Sequence, residues 1–349
     1  MDPILIYFSL FFIILWIILL AKEKKQGEIH LTFSILIACR NEQDNLPDLF
    51  HSLNRIDYPS DKYEIILVND ASSDDTQRLL ENYCTHKNNC TCYHLMRKSR
   101  EYLGKKAALK LAADHAQMEI LLFTDGDCIV PINWLSDYNN FFTPETGLCA
   151  GYHLEKGNNS LGRFASILNA AIAFITAKST FPFTASGGNM AVRKTAFDQV
   201  NGYEKIKNTL AGDDKLLLNL IRKAGWKISF NHLSPVLTKP LSGREIRSSQ
   251  LRRRYGKFRS SPVYIKIVSL IIFLFYLYLP FALIFGKGLI SLLIFYPACL
   301  IFWLLVLKKF KKKFIVTDLI YLIFYPYLMI YYSLTGMFLK WQWQDQNSI

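Results

Sequence analysis

Four long apolar segments, one near the amino terminus and three near the carboxyl terminus, constrain the fold of this 349-residue chain most strongly. They run from Pro3 to Ala21, Val263 to Phe285, Leu289 to Leu307 and Phe314 to Leu339. About 20 consecutive apolar residues are enough for a helix to cross a bilayer. The pattern therefore predicts one membrane helix before a water-soluble region and about three after it. An alternative, in which the second and third segments form one re-entrant or interfacial hairpin, stays open.

Clusters of positive charge beside these segments predict the orientation of the chain in a membrane. Three lysines (22, 24 and 25) follow the first segment, and the loop 308–313 between the last two segments carries five more. Cytoplasmic loops of membrane proteins are enriched in Lys and Arg. No basic residue precedes the first segment, so it is typical of an anchor rather than a cleaved signal peptide. We expect a multi-pass protein of the cell membrane whose soluble region is cytoplasmic.

The net charge of +13 raises the question of a nucleic-acid partner. Much of the positive excess lies in the loop 308–313 and between Arg244 and Arg259, beside apolar segments. Anionic lipid headgroups account for that placement, and the chain carries no nucleic-acid-binding motif. We therefore expect no nucleic-acid partner.

The cysteines raise two questions: whether their thiols are reduced, and whether some of them bind zinc. Seven cysteines in a cytoplasmic protein are expected to be reduced thiols. Within 11 residues the chain offers five side chains that zinc accepts: Cys84, His86, Cys90, Cys92 and His94. Their spacing lacks the paired C-x₂-C arrangement of zinc sites, and we interpret the segment as a polar loop after a helix. Whether it binds a metal ion stays open.

Short apolar runs alternate with helical patterns in the region between the membrane segments. The sequence predicts strands at 33–39, 63–68 and 119–124, and helices at 46–54, 74–83 and 105–117. This alternation is typical of an α/β fold with a mainly parallel sheet and helices on both faces. Such sheets bind their ligands at the carboxyl ends of the strands.

Acidic residues follow three of the predicted strands. Glu42 comes just after the first strand, Asp70 after the second, and Asp125 and Asp127 after the third. Several carboxylates at one edge of a sheet suit a divalent cation, and Mg²⁺ is commonly held by one or two carboxylates together with substrate phosphates. The sequence therefore predicts a site for a phosphate-bearing ligand at this edge.

Six short motifs follow one another in this region: Ser34 to Glu42, Val68 to Thr76, Gly104 to Leu109, Thr124 to Asp127, Gly187 to Arg193 and Gly212 to Asp214. With these motifs in this order, the chain resembles the family 2 glycosyltransferases, which are inverting enzymes with the GT-A fold. The flanking segments resemble the branch containing polysaccharide synthases and ceramide glucosyltransferase-like enzymes. The resemblance implies a GT-A domain over residues 32–260, between membrane segments 3–21 and 263–339.

The resemblance implies a metal site that binds Mg²⁺ or Mn²⁺. It makes Asp127 the principal metal ligand, while Asp125 contacts both the ribose and the metal. The metal neutralises the charge that builds on the departing diphosphate. An alternative for the Asp125-Gly126-Asp127 segment is a solvated β-turn.

The nucleoside contacts are also implied by the resemblance. Glu42 and Asp70 match side chains that accept hydrogen bonds from the base or ribose, and backbone groups around Ala38 and Arg40 would frame the base. The alternative for Asp70 is a helix N-cap. That role is filled equally well by three residues that follow it: Ser72, Ser73 and Asp74.

The catalytic base implied by the resemblance is Asp214. Asp213, in the place of the more usual Glu, precedes it, and both acids begin a predicted helix where an ordinary acidic first turn is the alternative. Gly188 and Asn189 would line the sugar pocket. Lys105, in a turn before a helix, either steadies a phosphate or is a plain surface lysine.

Two stretches leave alternatives open. The apolar helix predicted from Leu161 to Ala177 lies either near the membrane or in the core. Membrane-bound relatives carry the motif Q-x-x-R-W, of which Gln250 and Arg253 match, whereas Arg254 stands in the place of the Trp. That Trp stacks on the acceptor in processive synthases, so its loss favours transfer of single sugars. Arg253 either binds the diphosphate or belongs to a juxtamembrane basic patch.

The resemblance implies metal-dependent, inverting transfer of a sugar from a nucleotide donor, a UDP-sugar by family habit. The acceptor expected is a lipid or lipid-linked glycan at the cytoplasmic face, in cell-envelope glycan or glycolipid synthesis. The alternatives are a processive polysaccharide synthase and a non-catalytic membrane partner that binds nucleotide. The four acids at positions 70, 125, 127 and 214 argue against a non-catalytic role. A transporter or channel fits poorly, because the apolar segments are few.

Overall fold

The computed structural model describes residues 3–20, 30–96, 101–157, 159–178, 182, 184–209, 213–239, 263–284 and 289–338. Contacts divide the chain into two compact units, which we describe separately. The smaller comprises Met1–Leu20, Leu241–Lys308 and Lys312–Ile349; the larger comprises Ala21–Pro240 and Lys309–Lys311.

The larger unit is built on two sheets. Its strands are β1 (Phe33–Cys39), β2 (Tyr63–Asp70), β3 (Cys90–Leu95), β4 (Ile120–Asp125), β5 (Cys128–Ile129), β6 (Thr146–Ala150), β7 (His153–Glu155), β8 (Asn189–Arg193), β9 (Lys227–Phe230) and β10 (Val236–Thr238). Seven strands form one sheet in the order β3-β2-β1-β4-β8-β6-β9, and the small sheet has the order β5-β10-β7.

The direction of the strands decides which residues meet at one edge. In the large sheet four of the six neighbouring pairs are parallel, whereas β8 runs antiparallel to both of its neighbours. Ala38 pairs with Val68 on one side and with Asp125 on the other. Since β8 is reversed, Asn189 at its start lies opposite Thr124 near the end of β4. The predicted α/β class with a mainly parallel sheet is confirmed.

The helices of the larger unit are α2 (Leu46–Leu53), α3 (Thr76–Thr85), α4 (Lys106–His115), α5 (Trp134–Asn139), α6 (Ser160–Ala177), α7 (Lys194–Gln199) and α8 (Asp213–Lys223). Amphipathic spacing explains how they pack. In α2, a proline stands in the first turn, where its missing N–H costs nothing, and Leu46, Leu49 and Leu53 lie on one buried face. These leucines join the core beneath β1, and burial of each stabilises the fold by roughly 1.5–3 kcal/mol.

One predicted loop is wrong. Residues 90–95, expected to belong to a polar loop, form β3 at the edge of the large sheet. The strand is only partly buried. It therefore lacks the continuous apolar run that is typical of a strand buried on both faces. The expectation of seven free thiols is also wrong, because Cys84 and Cys90 form a disulfide. These two sulfur atoms are therefore not available as zinc ligands.

Among its described residues the smaller unit has four helices: α1 (Pro3–Leu20), α9 (Val263–Ile284), α10 (Leu289–Lys309, which ends in the larger unit) and α11 (Thr317–Phe338). Aromatic edge contacts hold α1 against α10, where the Phe12 ring lies 5.8 Å from Phe295 and 5.4 Å from Phe302. In the described residues, two stretches are long and apolar enough to cross a membrane, Ser160–Ala177 and Leu292–Lys309. The first is α6, which packs on β7 and β9 in the larger unit. The number of membrane helices stays a prediction.

Candidate functional site

The edge formed by the ends of β1, β2 and β4 gathers most of the predicted site residues. The Lys105 ammonium group donates to Oδ1 of Asp125. A β-carbon built on Gly187 would lie 3.8 Å from Lys105 Nζ and 3.6 Å from Asp214 Cβ. The start of α8 is thereby brought beside the end of β4. A lysine and two carboxylates that are far apart in sequence thus meet at one place.

The segment after β4 provides candidate metal ligands. One ligand atom each from Asp125, Asp127 and Cys128 lies within 4.8 Å of the others. Cys128 Sγ is 3.7 Å from an Asp127 oxygen, while Asp125 is already paired with Lys105. Carboxylate oxygens are the ligands that Mg²⁺ and Mn²⁺ prefer. The two carboxylates fit such an ion, with Asp127 the more available acid, whereas the Cys128 thiol is not a ligand that these cations prefer.

Electrostatic interactions keep Lys105 charged. Burial by itself would lower the pKa of Lys105, but attraction to Asp125, Asp213 and Asp214 outweighs it and raises that pKa above its ordinary value. The lysine is therefore a fixed positive charge in front of the acids. A fixed positive charge at this position suits a phosphate group. A phosphate contact of Lys105 stays a prediction.

Asp214 lies in the first turn of α8 and is buried, with 6% of its surface exposed. Its Oδ2 accepts a hydrogen bond from the Gly187 backbone N–H at 3.2 Å, and its Oδ1 accepts from Lys215 N at 2.8 Å. The amino-terminal end of a helix stabilises a negative charge. Asp213, beside it, is half-buried. The two acids therefore differ in exposure although they are adjacent.

Hydrogen bonds join the loops that follow β1 and β2. Asn41 N donates to Ser72 Oγ at 3.1 Å, Ser73 N donates to Asn41 Oδ1 at 2.9 Å, and Glu42 N donates to Thr76 Oγ1 at 2.8 Å. Asn41 has a positive φ of 54°, a conformation that costs energy for residues other than glycine and is found at functional sites. These bonds hold Glu42 at the edge of the sheet.

Asp70 ends β2 and is buried, with 7% of its surface exposed. At the start of α3, Asp74 Oδ1 accepts a hydrogen bond from Thr76 N at 3.0 Å. A nucleoside contact of Asp70 stays a prediction. Ala38 and Arg40, which are half-buried at the end of β1, lie at the same edge.

Burial raises the pKa of Glu42 to about 7 from an ordinary value of 4.5; the nearby acids Asp127 and Asp125 also raise it, while a hydrogen bond from Asn45 lowers it. Between these two pH values the unfolded carboxyl has lost its proton while the folded one keeps it. The free energy of unfolding should therefore fall as pH rises through this window. Glu42→Gln should remove the part of this pH-dependent loss of stability that comes from the Glu42 carboxyl. Thermal unfolding of both proteins from pH 5 to 8, in buffer with a chelator, checks this; identical pH profiles would contradict it.

Gly188 lies against two side chains of the candidate site. A β-carbon at this position would lie 2.5 Å from Asp125 Oδ2 and 2.8 Å from His153 Nε2. Gly188→Ala should therefore displace one of them and cost roughly 1–3 kcal/mol of stability. Gly187→Ala is the matched control, because its nearest neighbour would be at 3.6 Å. Thermal unfolding should show a loss for the first variant alone, and equal melting temperatures would refute the expectation.

The Asn189 side chain is completely buried and makes four hydrogen bonds inside the protein. Its Oδ1 accepts from Trp134 Nε1 at 3.0 Å and from Tyr138 Oη at 2.8 Å. Its Nδ2 donates to the carbonyls of Tyr152 at 2.8 Å and Ser234 at 3.0 Å. The side chain thus joins β8 to α5 and to the segments that precede β7 and β10. A contact between Asn189 and a donor sugar stays a prediction.

Sequence reasoning missed His153, the first residue of β7. Its Nδ1 shares a hydrogen bond with the hydroxyl of Ser186, and burial lowers its pKa despite the attraction of Asp125. No motif includes this histidine, and only its position in the small sheet brings it to the site. Gln250 and Arg253, which the sequence assigns to donor binding, lie outside the described residues.

Comparison with known proteins bears on the identity of this fold. Residues 34–200 match the family described as Glycosyl transferase family 2. These residues are a family 2 glycosyltransferase domain. A solved structure with the same fold is the mannosyltransferase PcManGT from Pyrobaculum calidifontis in complex with GDP-Man and Mn²⁺, with a TM-score of 0.61 and 17% identity over 96% of each chain. The expected GT-A fold is thereby confirmed.

Two curated proteins are similar to the family 2 domain. Glycosyltransferase AglE of Haloferax volcanii is 23% identical over 203 residues, which are 57% of this chain and 64% of that protein. Poly-beta-1,6-N-acetyl-D-glucosamine synthase of Staphylococcus epidermidis is 27% identical over 187 residues, 48% of this chain and 43% of that protein. The matches therefore span less than two thirds of these relatives.

Proposed function

We propose that this chain catalyses metal-dependent, inverting transfer of a sugar from a nucleotide-sugar donor to an acceptor hydroxyl. The observation that carries the proposal is the convergence of Asp125, Lys105 and Asp214 at the carboxyl edge of the sheet in a family 2 domain. A diphosphate, a metal ion and a general base need these kinds of side chain within reach of one another.

The residues after β4 fit a divalent cation. Asp127 would hold Mg²⁺ or Mn²⁺ with help from Asp125. When bound, the ion supplies Lewis-acid stabilisation of charge on the leaving diphosphate. Lys105 adds a second positive charge on the same side, since its pairing with Asp125 fixes it in front of the acids. The structure of PcManGT with GDP-Man and Mn²⁺ supports the choice of ion.

Asp214 serves as the general base in this mechanism. Its buried carboxylate accepts the proton of the acceptor hydroxyl as that oxygen bonds to the anomeric carbon. The bond between that carbon and the diphosphate oxygen breaks on the opposite side, which inverts the anomeric configuration. The Gly187 N–H donates to the carboxylate, and its position in the first turn of α8 orients it.

The acceptor we propose is a lipid or a lipid-linked glycan at the cytoplasmic face of the cell membrane. Support comes from the apolar helices of the smaller unit, of which Leu292–Lys309 is long and apolar enough to span a bilayer. The donor we propose is a UDP-sugar. Four membrane helices, one before and three after the family 2 domain, complete this arrangement.

A second candidate is processive polymer synthesis. It is favoured by the similarity to a poly-N-acetylglucosamine synthase. Arg254, in the place of the Trp that stacks on a growing chain, favours single transfer instead. Product length on a gel separates the two candidates, because single transfer gives one discrete product.

Donor turnover by detergent-solubilised protein tests the proposal. UDP- and GDP-sugars are supplied one at a time with Mn²⁺ or Mg²⁺ and a membrane lipid extract, and release of nucleoside diphosphate is measured. The proposal is supported if one donor is consumed only when metal is present. Asp127→Asn should lose this turnover. Asp114→Asn, on the exposed surface of α4, should keep it. If nucleotide binds and no donor is consumed, the chain is a non-catalytic partner.

A further inference from the structure

His153 lies between the acidic edge and the loop 186–188 that leads into β8, and the mechanism above does not use it. On one side its Nδ1 is bonded to Ser186 Oγ. On the other side its Nε2 and an Asp125 oxygen both face Gly188, within 2.8 Å of the place a β-carbon there would take. This Nε2 is shielded from solvent and has no hydrogen-bond partner in the described part of the chain.

The shielding of Nε2 argues against direct contact with the donor. Since Nε2 is closed off from solvent, a ligand would reach it only after neighbouring protein atoms had moved. The effect of the imidazole is instead transmitted through its neighbours in the protein. The ring is hydrogen-bonded to Ser186, and the Gly188 backbone of the same loop also interacts with it.

The loop that Ser186 begins carries the residue that orients the base. Ser186 O accepts from Asn189 N at 2.9 Å, which closes a turn. Within that turn the Gly187 N–H donates to Asp214 Oδ2 at 3.2 Å. A shift of Ser186 therefore moves Gly187 and with it the hydrogen bond to the carboxylate. Misplacement of a reacting group by about 1 Å can cost roughly 100-fold in rate.

We infer that His153 is a positioning residue for the general base: through Ser186 it fixes the loop 186–188, whose Gly187 amide orients Asp214. The inference rests on the proposed function, since it assigns a part in that reaction. It predicts that the Nδ1 position of the ring matters and that the Nε2 position does not.

Two amide substitutions separate the two nitrogen positions. His153→Asn places its amide near the position of Nδ1 and can keep the bond to Ser186, whereas His153→Gln places its amide near Nε2 and loses that bond. Ser186→Ala removes the partner hydroxyl. We expect Ser186→Ala and His153→Gln to lower kcat by ~10- to 100-fold with the donor KM changed less than about threefold, and His153→Asn to restore most of kcat.

A kcat that survives Ser186→Ala overturns the inference. A kcat lost equally in His153→Asn and His153→Gln overturns it as well, because Nε2 would then be the functional atom. The melting temperatures of the three variants are also compared, so that a loss of kcat caused by unfolding is recognised. General destabilisation would not reproduce the difference between the Asn and Gln variants.

Hydrogen–deuterium exchange of the Gly187 amide supplies a measurement that needs no turnover. Exchange should be faster in Ser186→Ala and His153→Gln than in the unsubstituted protein, and unchanged in His153→Asn. If the unsubstituted protein consumes no donor while exchange responds in this way, the proposed function fails and the positioning contact stands. If donor is consumed and neither exchange nor kcat responds, the positioning role alone fails.

Discussion

Asp214→Asn should lower kcat for sugar transfer by ~100- to 10,000-fold, the range that a general base typically contributes. The substitution keeps the size of the side chain, and an amide oxygen can still accept from Gly187 N. It removes the group that takes the proton from the acceptor. The binding of nucleoside diphosphate, measured by calorimetry with Mn²⁺, should change little, because in the proposed mechanism the base acts on the acceptor hydroxyl.

Asp213→Asn is the matched control for this prediction. Both acids lie in the first turn of α8, but Asp213 is half-buried while Asp214 is buried. If they were only an acidic first turn, each substitution would cost about 0.3–1 kcal/mol of stability and leave transfer intact. We expect a large loss of kcat for Asp214→Asn alone. Similar kcat values for the two variants would remove Asp214 from the role of base.

Asn189→Ala should be among the most destabilising substitutions in the family 2 domain. It would leave Trp134 Nε1, Tyr138 Oη and two backbone carbonyls without the partner they have at 2.8–3.0 Å. A buried polar group left unpaired costs about 1–3 kcal/mol, and we expect a total of roughly 3–5 kcal/mol after relaxation. The melting temperature of the domain should fall by roughly 10 °C.

Asn140→Ala provides the comparison for the loss at Asn189. Asn140 follows α5, is half-buried, and its amide donates to the Ser136 carbonyl at 3.0 Å. Its removal should cost less than about 1 kcal/mol. Thermal unfolding in detergent, followed by tryptophan fluorescence, measures both variants. Equal shifts would mean that the four hydrogen bonds of Asn189 contribute no more than one does.

The sequence predicted β1, β2 and β4 to within two residues, because their apolar runs are buried on both faces. It also predicted that α8 begins at the acidic pair. It failed for β3, an edge strand whose half-buried residues carry no apolar run. The disulfide between Cys84 and Cys90 was missed for a related reason, since the pair meets only when the end of α3 lies beside this strand.

What the sequence determined by itself was the set of acids that follow the strands and the helix that begins at Asp213. These features are local, because strand periodicity and the turns after strands are properties of neighbouring residues. The tertiary structure alone decided which distant groups meet. The ion pair between Lys105 and Asp125 joins residues 20 positions apart, and the bond between Ser186 and His153 spans 33. These contacts depend on the position of β8 between β4 and β6 and on that of β7 in the small sheet, which no local pattern records.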